Sequence, residues 1–221
     1  MIFYLDAIAP LFPLLLLASS RGKQIKGRLP VIIFFSLCFI FFSVADYIDE
    51  YKDGNNLLVY NLLPLLLLID LFFFFRILHV NPVLRKINLL LLACQIMIYF
   101  LKYDYILEYR VFGSLFYIVF SIFTLVNCLG YYYQEFTEMG EVAVWKKVEF
   151  WFVTSTLFYA STSFVIWAFF KTLMDKAALM SLTKEEMHYI GNLWQLHNIA
   201  FALSCFSFFL ALLWNRFKTT S

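Results

Sequence analysis

Charged residues are scarce in this chain: Asp, Glu, Lys and Arg make up only 14% of its 221 residues, about half their usual share in soluble domains. That scarcity excludes an ordinary water-dispersed globular domain. Histidine is scarcer still, occurring only as His79, His188 and His197. Their spacing contains neither HExxH nor HxxxH, so a membrane zinc hydrolase has no ligand set. The four cysteines, Cys38, Cys94, Cys128 and Cys205, lie in apolar stretches without CxxC spacing. They read as small apolar side chains, not as a disulfide framework or a metal site. Gly113, Gly130 and Gly191 are isolated, which leaves no phosphate-cradling loop. Gly113-Ser114 does not continue into a rhomboid-type motif with a histidine at its depth, and the last apolar stretch has no lysine before Lys218 to carry a retinal Schiff base. No catalytic, cofactor-binding or metal-ligating residue is assigned, and the chain reads as a non-enzyme.

What is abundant is apolar surface. Hydrophobic residues make up 63% of the chain and aromatic ones 21%, with a mean hydropathy of +0.79. A hydrocarbon core of roughly 30 Å takes about 20 apolar residues per helix. Seven windows approach that length: residues 3–19, 28–46, 57–78, 86–103, 111–133, 149–171 and 193–215. The first is the weakest, because Asp6 opens it and Pro10 and Pro13 interrupt it. It lacks the basic start and the small-residue cleavage site of a signal peptide. The expected fold is therefore all-α: a polytopic membrane protein, a seven-transmembrane-helix bundle forming one integral membrane domain over residues 1–221. Assigning alternate loops to one side places eleven of the 17 Lys and Arg residues together. By the positive-inside rule that side is cytoplasmic, with the N-terminus outside and the C-terminus inside. Lys23, Lys26 and Arg28 in the first basic loop are the candidate contacts to a cytoplasmic partner or to lipid headgroups.

Near the C-terminus, Thr183 and Glu186 have capping-box form, which predicts a last helix from about Lys184 to Asn215, roughly 48 Å long. A break at Gly191 is the alternative. The acidic loop DYIDEYKDGNN at residues 46–56 lacks the ordered ligand spacing of an EF-hand.

Polar residues inside the apolar windows are the candidate functional groups, because the bilayer makes them costly. With each window's midpoint as bilayer centre, Asp70, Asn127 and Ser155 lie about 4 to 8 Å to the cytoplasmic side. They form a candidate intramembrane cluster. Asn61, His197 and Asn198 lie roughly 9 to 11 Å to the outer side, and with Gln195 and Asp46 they form a candidate outer pocket. His197 is its proton-sensitive group.

NNLLVYNLLPLLLLID, FWFVTSTLFYASTSF and LWQLHNIAFALSCFSFFLALLW together resemble small seven-span membrane proteins of Bacteroidota that accompany signalling proteins such as histidine kinases. In length, span content and apparent lineage the chain is also similar to the membrane accessory proteins encoded beside the RNA-targeting nuclease of type VI-B CRISPR systems. These resemblances imply a non-enzymatic sensory or regulatory accessory in the inner membrane, serving a cytoplasmic protein partner and contacting membrane lipids. No direct nucleic-acid binding and no cofactor are implied. The alternative reading is an ion channel, an oligomeric pore built from copies of this chain, or a small-solute transporter, with Asp70 lining the path.

Overall fold

The computed structural model describes residues 5–19, 25–51, 56–102, 112–137, 143–179 and 183–217. Among these residues the chain is all-α. In order, its helices are α1 (Leu5–Ile8), α2 (Leu11–Ser19), α3 (Arg28–Tyr51), α4 (Leu57–Leu78), α5 (Pro82–Leu101), α6 (Ser114–Thr137), α7 (Val148–Leu179) and α8 (Lys184–Phe217). A single 3₁₀ turn, Val144–Lys146, precedes α7. Among the described residues six helices, α3 to α8, are long and apolar enough to cross a membrane.

The N-terminal segment differs from the window expected at 3–19. It is broken at Ala9-Pro10 into two short helices that together run only from Leu5 to Ser19, about 22 Å at 1.5 Å per residue. Proline disfavours helical geometry in the residue before it, which ends α1. Pro13 falls in the first turn of α2, where its missing N–H costs nothing. The pair packs against α3 and α8 and buries Asp6, Ala7 and Leu17.

Elsewhere, local chemistry sets the helix ends. Gly27 enters α3 with φ at +72°, a conformation that disfavours a side chain. Asn81 caps α5 by accepting from the Val83 N–H at 2.8 Å, with Pro82 as the first helical residue. This starts α5 four residues earlier than the apolar window does. At α8 the Thr183 N–H donates to the Glu186 carboxylate at 3.0 Å and the Glu186 N–H returns to the Thr183 hydroxyl at 3.2 Å, a complete capping box. The helix then runs through Gly191 without a break.

The interior is built on rings. Phe34, Phe35, Phe74, Phe152 and Phe208 interlock through centroid distances of 4.8 to 5.9 Å and join α3, α4, α7 and α8. A second group towards the other end joins Tyr60, Phe112, Tyr117, Trp167 and Trp194. Outward faces are apolar too: Phe100 and Leu101 on α5 are 76% and 75% exposed. A contiguous apolar exterior is what lipid contact requires.

α5 reverses the pattern of a water-soluble helix. Its buried residues are Asn88, Gln95 and Tyr99, seven and four positions apart and so on one face. Asn88 Nδ2 donates to the Phe72 carbonyl of α4 at 3.1 Å, Gln95 Nε2 donates to the Val119 carbonyl of α6, and Tyr99 stacks on Phe116 at 4.2 Å.

Candidate functional site

One end of the bundle carries Lys26, Arg28, Arg85, Lys86, Lys146 and Lys147. The other carries Asp46, Asp49, Glu50, Asp175, Glu185 and Glu186, with Lys102, Lys171, Lys176 and Lys184 among them. These are called the basic and acidic ends.

At the basic end, α4 finishes at Leu78 and the chain turns through His79, Val80 and Asn81 into α5. Gln134 of α6 stitches that turn. Its Oε1 accepts from the backbone N–H groups of Val80 and Asn81 at 2.8 and 3.1 Å, and its Nε2 donates to the Leu78 carbonyl at 3.1 Å. Arg85 Nε donates to the His79 carbonyl at 2.6 Å. The His79 ring is buried, stacks on Phe75 and places Nε2 3.2 Å from Asn127 Oδ1. Burial, with a smaller push from the Arg85 charge, holds its imidazole below its ordinary pKa, against a smaller opposing pull from Asn127. Beside this turn lies a recess of about 300 Å³, bordered by Leu78 and Val80 and by the polar side chains of Lys26, Tyr131, Gln134, Glu135, Lys147 and Glu149.

The intramembrane set expected at Asp70, Asn127 and Ser155 divides among different partners. Asn127 faces His79 and donates to the Phe123 carbonyl one turn earlier. Ser155 of α7 meets the Ser207 hydroxyl of α8 at 2.9 Å, while Ser204 donates to the Ser155 carbonyl at 2.7 Å. Asp70 is buried on α4 near Cys38 of α3, and its Oδ2 has no hydrogen-bond partner among the described residues. Arg76 turns outward over the Phe72 ring, away from it. No hydrogen bond among the described residues joins the three.

Towards the acidic end, His197 is buried with its Nε2 3.4 Å from the Tyr159 hydroxyl and its Nδ1 3.3 Å from the Ser163 hydroxyl. Trp167 lies over its ring at 4.6 Å. Asn61 accepts from the Gly113 N–H at 2.7 Å, and Asn198 is buried while Gln195 is exposed. Asp46 is half-buried, with Oδ2 unpartnered among the described residues and close enough to Asp6 for their charges to interact. His197 thus bonds to α7 and not to Asp46. In the first basic loop, Arg28 donates to the Leu17 carbonyl at 2.6 Å and so anchors α2, Lys26 is exposed, and Lys23 lies outside the described residues.

Sequence reasoning missed His79, Gln134, Tyr131 and the buried Asp6. His79 and Gln134 sit at helix ends, where apolar windows stop being informative. Gln134 stands 53 to 56 residues from the groups it stitches, so no local signal in the sequence points to it.

No family model, curated protein or solved structure matches the chain. Among the described residues the fold is all-helical, with six helices suited to crossing a membrane and one shorter N-terminal apolar segment.

Proposed function

We propose that this chain is a multi-pass inner-membrane accessory protein that presents its basic end to the cytoplasm and regulates, or reports to, a soluble partner there. In this reading Leu5–Ser19 is a seventh membrane segment and the N-terminus lies outside. The observation that carries it is the five-ring packing of Phe34, Phe35, Phe74, Phe152 and Phe208. These rings fill the bundle between the polar groups of the acidic end and the charged recess of the basic end. A single copy packed this way favours recognition at an end over passage through the middle. The His197–Tyr159–Ser163 group is then the sensing element, enclosed by rings and responsive to whatever displaces Trp167. The partner classes are those that the resemblances imply, a signalling protein or an RNA-targeting defence nuclease.

Cross-linking the tagged protein in its native membranes, followed by mass spectrometry, tests the proposal. Recovery of one soluble protein, lost in a Lys23→Glu/Lys146→Glu variant that still inserts, is the expected result. Arg28 is left out because its bond to Leu17 gives it a structural duty. Recovery of the chain alone as a defined oligomer overturns the proposal.

That second outcome would favour a pore or transporter, for which the specific observation is Asp70 with its unpartnered buried oxygen. Ionisable side chains inside membranes mark conduction paths when they line water. Under this reading Asp70→Asn changes ion flux in reconstituted vesicles; under the accessory reading it does not.

A further inference from the structure

The recess at the basic end has features that the accessory role leaves unexplained. Its charges fall into two groups. Lys147 and Glu135 neutralise each other in an ion pair. Lys26 and Glu149 make no ion pair among the described residues, although Glu149 lies within electrostatic range of Lys26. The recess therefore offers one positive and one negative group without a direct ion-pair partner among the described residues, Glu149 also feeling the charge of Lys147. Tyr131, only 1% exposed, lines the same recess, and its hydroxyl has no hydrogen-bond partner among the described residues. That hydroxyl lies within electrostatic range of both Glu135 and Glu149. A buried hydroxyl without a partner is costly, and the cost is relieved by a ligand that accepts its hydrogen bond.

The position narrows the ligand. The recess lies where α4 and α6 end and α7 begins, the level of lipid headgroups if these helices span a bilayer. A volume of about 300 Å³ is at the lower end of small-molecule sites. A ligand that satisfies all three groups carries an anion for Lys26 and Tyr131 and a hydrogen-bonding cation for Glu149. We propose that the recess binds a phosphoethanolamine group, with the phosphate on Lys26 and the Tyr131 hydroxyl and the primary ammonium on Glu149. Phosphatidylethanolamine is one source and soluble O-phosphoethanolamine the other. A phosphatidylcholine headgroup has the same phosphate, but its quaternary ammonium has no N–H to donate. Phosphatidylglycerol supplies the phosphate without any cation.

Native mass spectrometry of the detergent-purified full chain, titrated with each lipid, tests the assignment. Phosphatidylethanolamine is expected to bind at least about tenfold more tightly than phosphatidylcholine or phosphatidylglycerol, the ratio that corresponds to about 1.4 kcal/mol. Glu149→Gln removes the preference over phosphatidylcholine, and Lys26→Met weakens both lipids by a similar factor. Tyr131→Phe weakens phosphatidylethanolamine at least about threefold while leaving the lipid-free unfolding midpoint unchanged or raised, because the hydroxyl has no partner to lose. Displacement by equimolar O-phosphoethanolamine assigns the site to the soluble compound, and retention assigns it to the lipid. Either result supports the proposed chemistry. Equal binding of all three lipids, or a preference that survives Glu149→Gln, overturns it. Neither outcome depends on whether a soluble partner is recovered, so this proposal and the accessory role fail separately.

Discussion

Replacing Tyr117 by Phe, alone and together with Pro64→Ala, isolates one hydrogen bond that the sequence makes necessary. Pro64 lies inside α4 and has no N–H, so the Tyr60 carbonyl one turn earlier loses its intrahelical partner. Tyr117 of α6 supplies the missing donor, its hydroxyl 2.8 Å from that oxygen, with both residues buried. Water cannot substitute in a bilayer interior. Interhelical hydrogen bonds in membranes average about 0.6 kcal/mol and reach about 1.7, and stranding a buried acceptor adds about 1 to 3. Tyr117→Phe keeps the ring packing on Phe112 and Trp167 and should cost about 2 kcal/mol. In the Pro64→Ala background the restored N–H of residue 64 serves the Tyr60 carbonyl, and the same change should cost only about 0.5 kcal/mol. The coupling of about 1.5 kcal/mol is measured by a double-mutant cycle on reversible unfolding in mixed micelles, followed by tryptophan fluorescence. Coupling below about 0.3 kcal/mol would refute the reasoning, because independent sites add to within that margin.

Gln134→Leu strands two backbone donors and one acceptor at the α4–α5 turn and should destabilise the fold by about 2 kcal/mol in the same assay. His79 gives a pH dependence of defined sign. The folded chain holds its imidazole below the ordinary 6.5 through burial and the Arg85 charge, so below that pH the unfolded chain binds more protons. The stabilisation is present above about pH 6.5 and is lost as pH falls through the lower folded-state pKa. His79→Gln should flatten the stability profile between about pH 7 and 5. Gly113→Ala should cost about 1 to 3 kcal/mol. Its new Cβ would lie 2.8 Å from Asn61 Oδ1 and against the Phe116 ring, which Tyr99 pins by stacking; an unchanged unfolding midpoint would mean that this corner is loosely packed.

How legible the molecule was depended on whether a residue's partner was near in sequence. The Thr183–Glu186 cap is four residues long, and α8 begins where it says. Long apolar windows located α3 to α8, while Pro10 and Pro13 flagged the segment that proved short. Position along a helix can be counted from the sequence, but it is one coordinate of three. Asp70, Asn127 and Ser155 were grouped by depth, whereas rotation about α4, α6 and α7 gives each a different neighbour. The polar stripe of Asn88, Gln95 and Tyr99 was open to reading from its spacing alone. In lipid an apolar face need not turn inward, so the polar side of α5 is the one that packs.

That stripe has a consequence for assembly. If α5 spans a bilayer, hydrocarbon solvates its apolar flank equally well whether or not the helix is docked, so solvent aversion supplies little of what holds it to α4 and α6. Attachment draws on two amides and one stacked ring pair, beside the packing of the half-buried Leu91 and Leu92. α5 is thus the helix whose place in the bundle depends most on buried polar contacts, Asn88 and Gln95 above all.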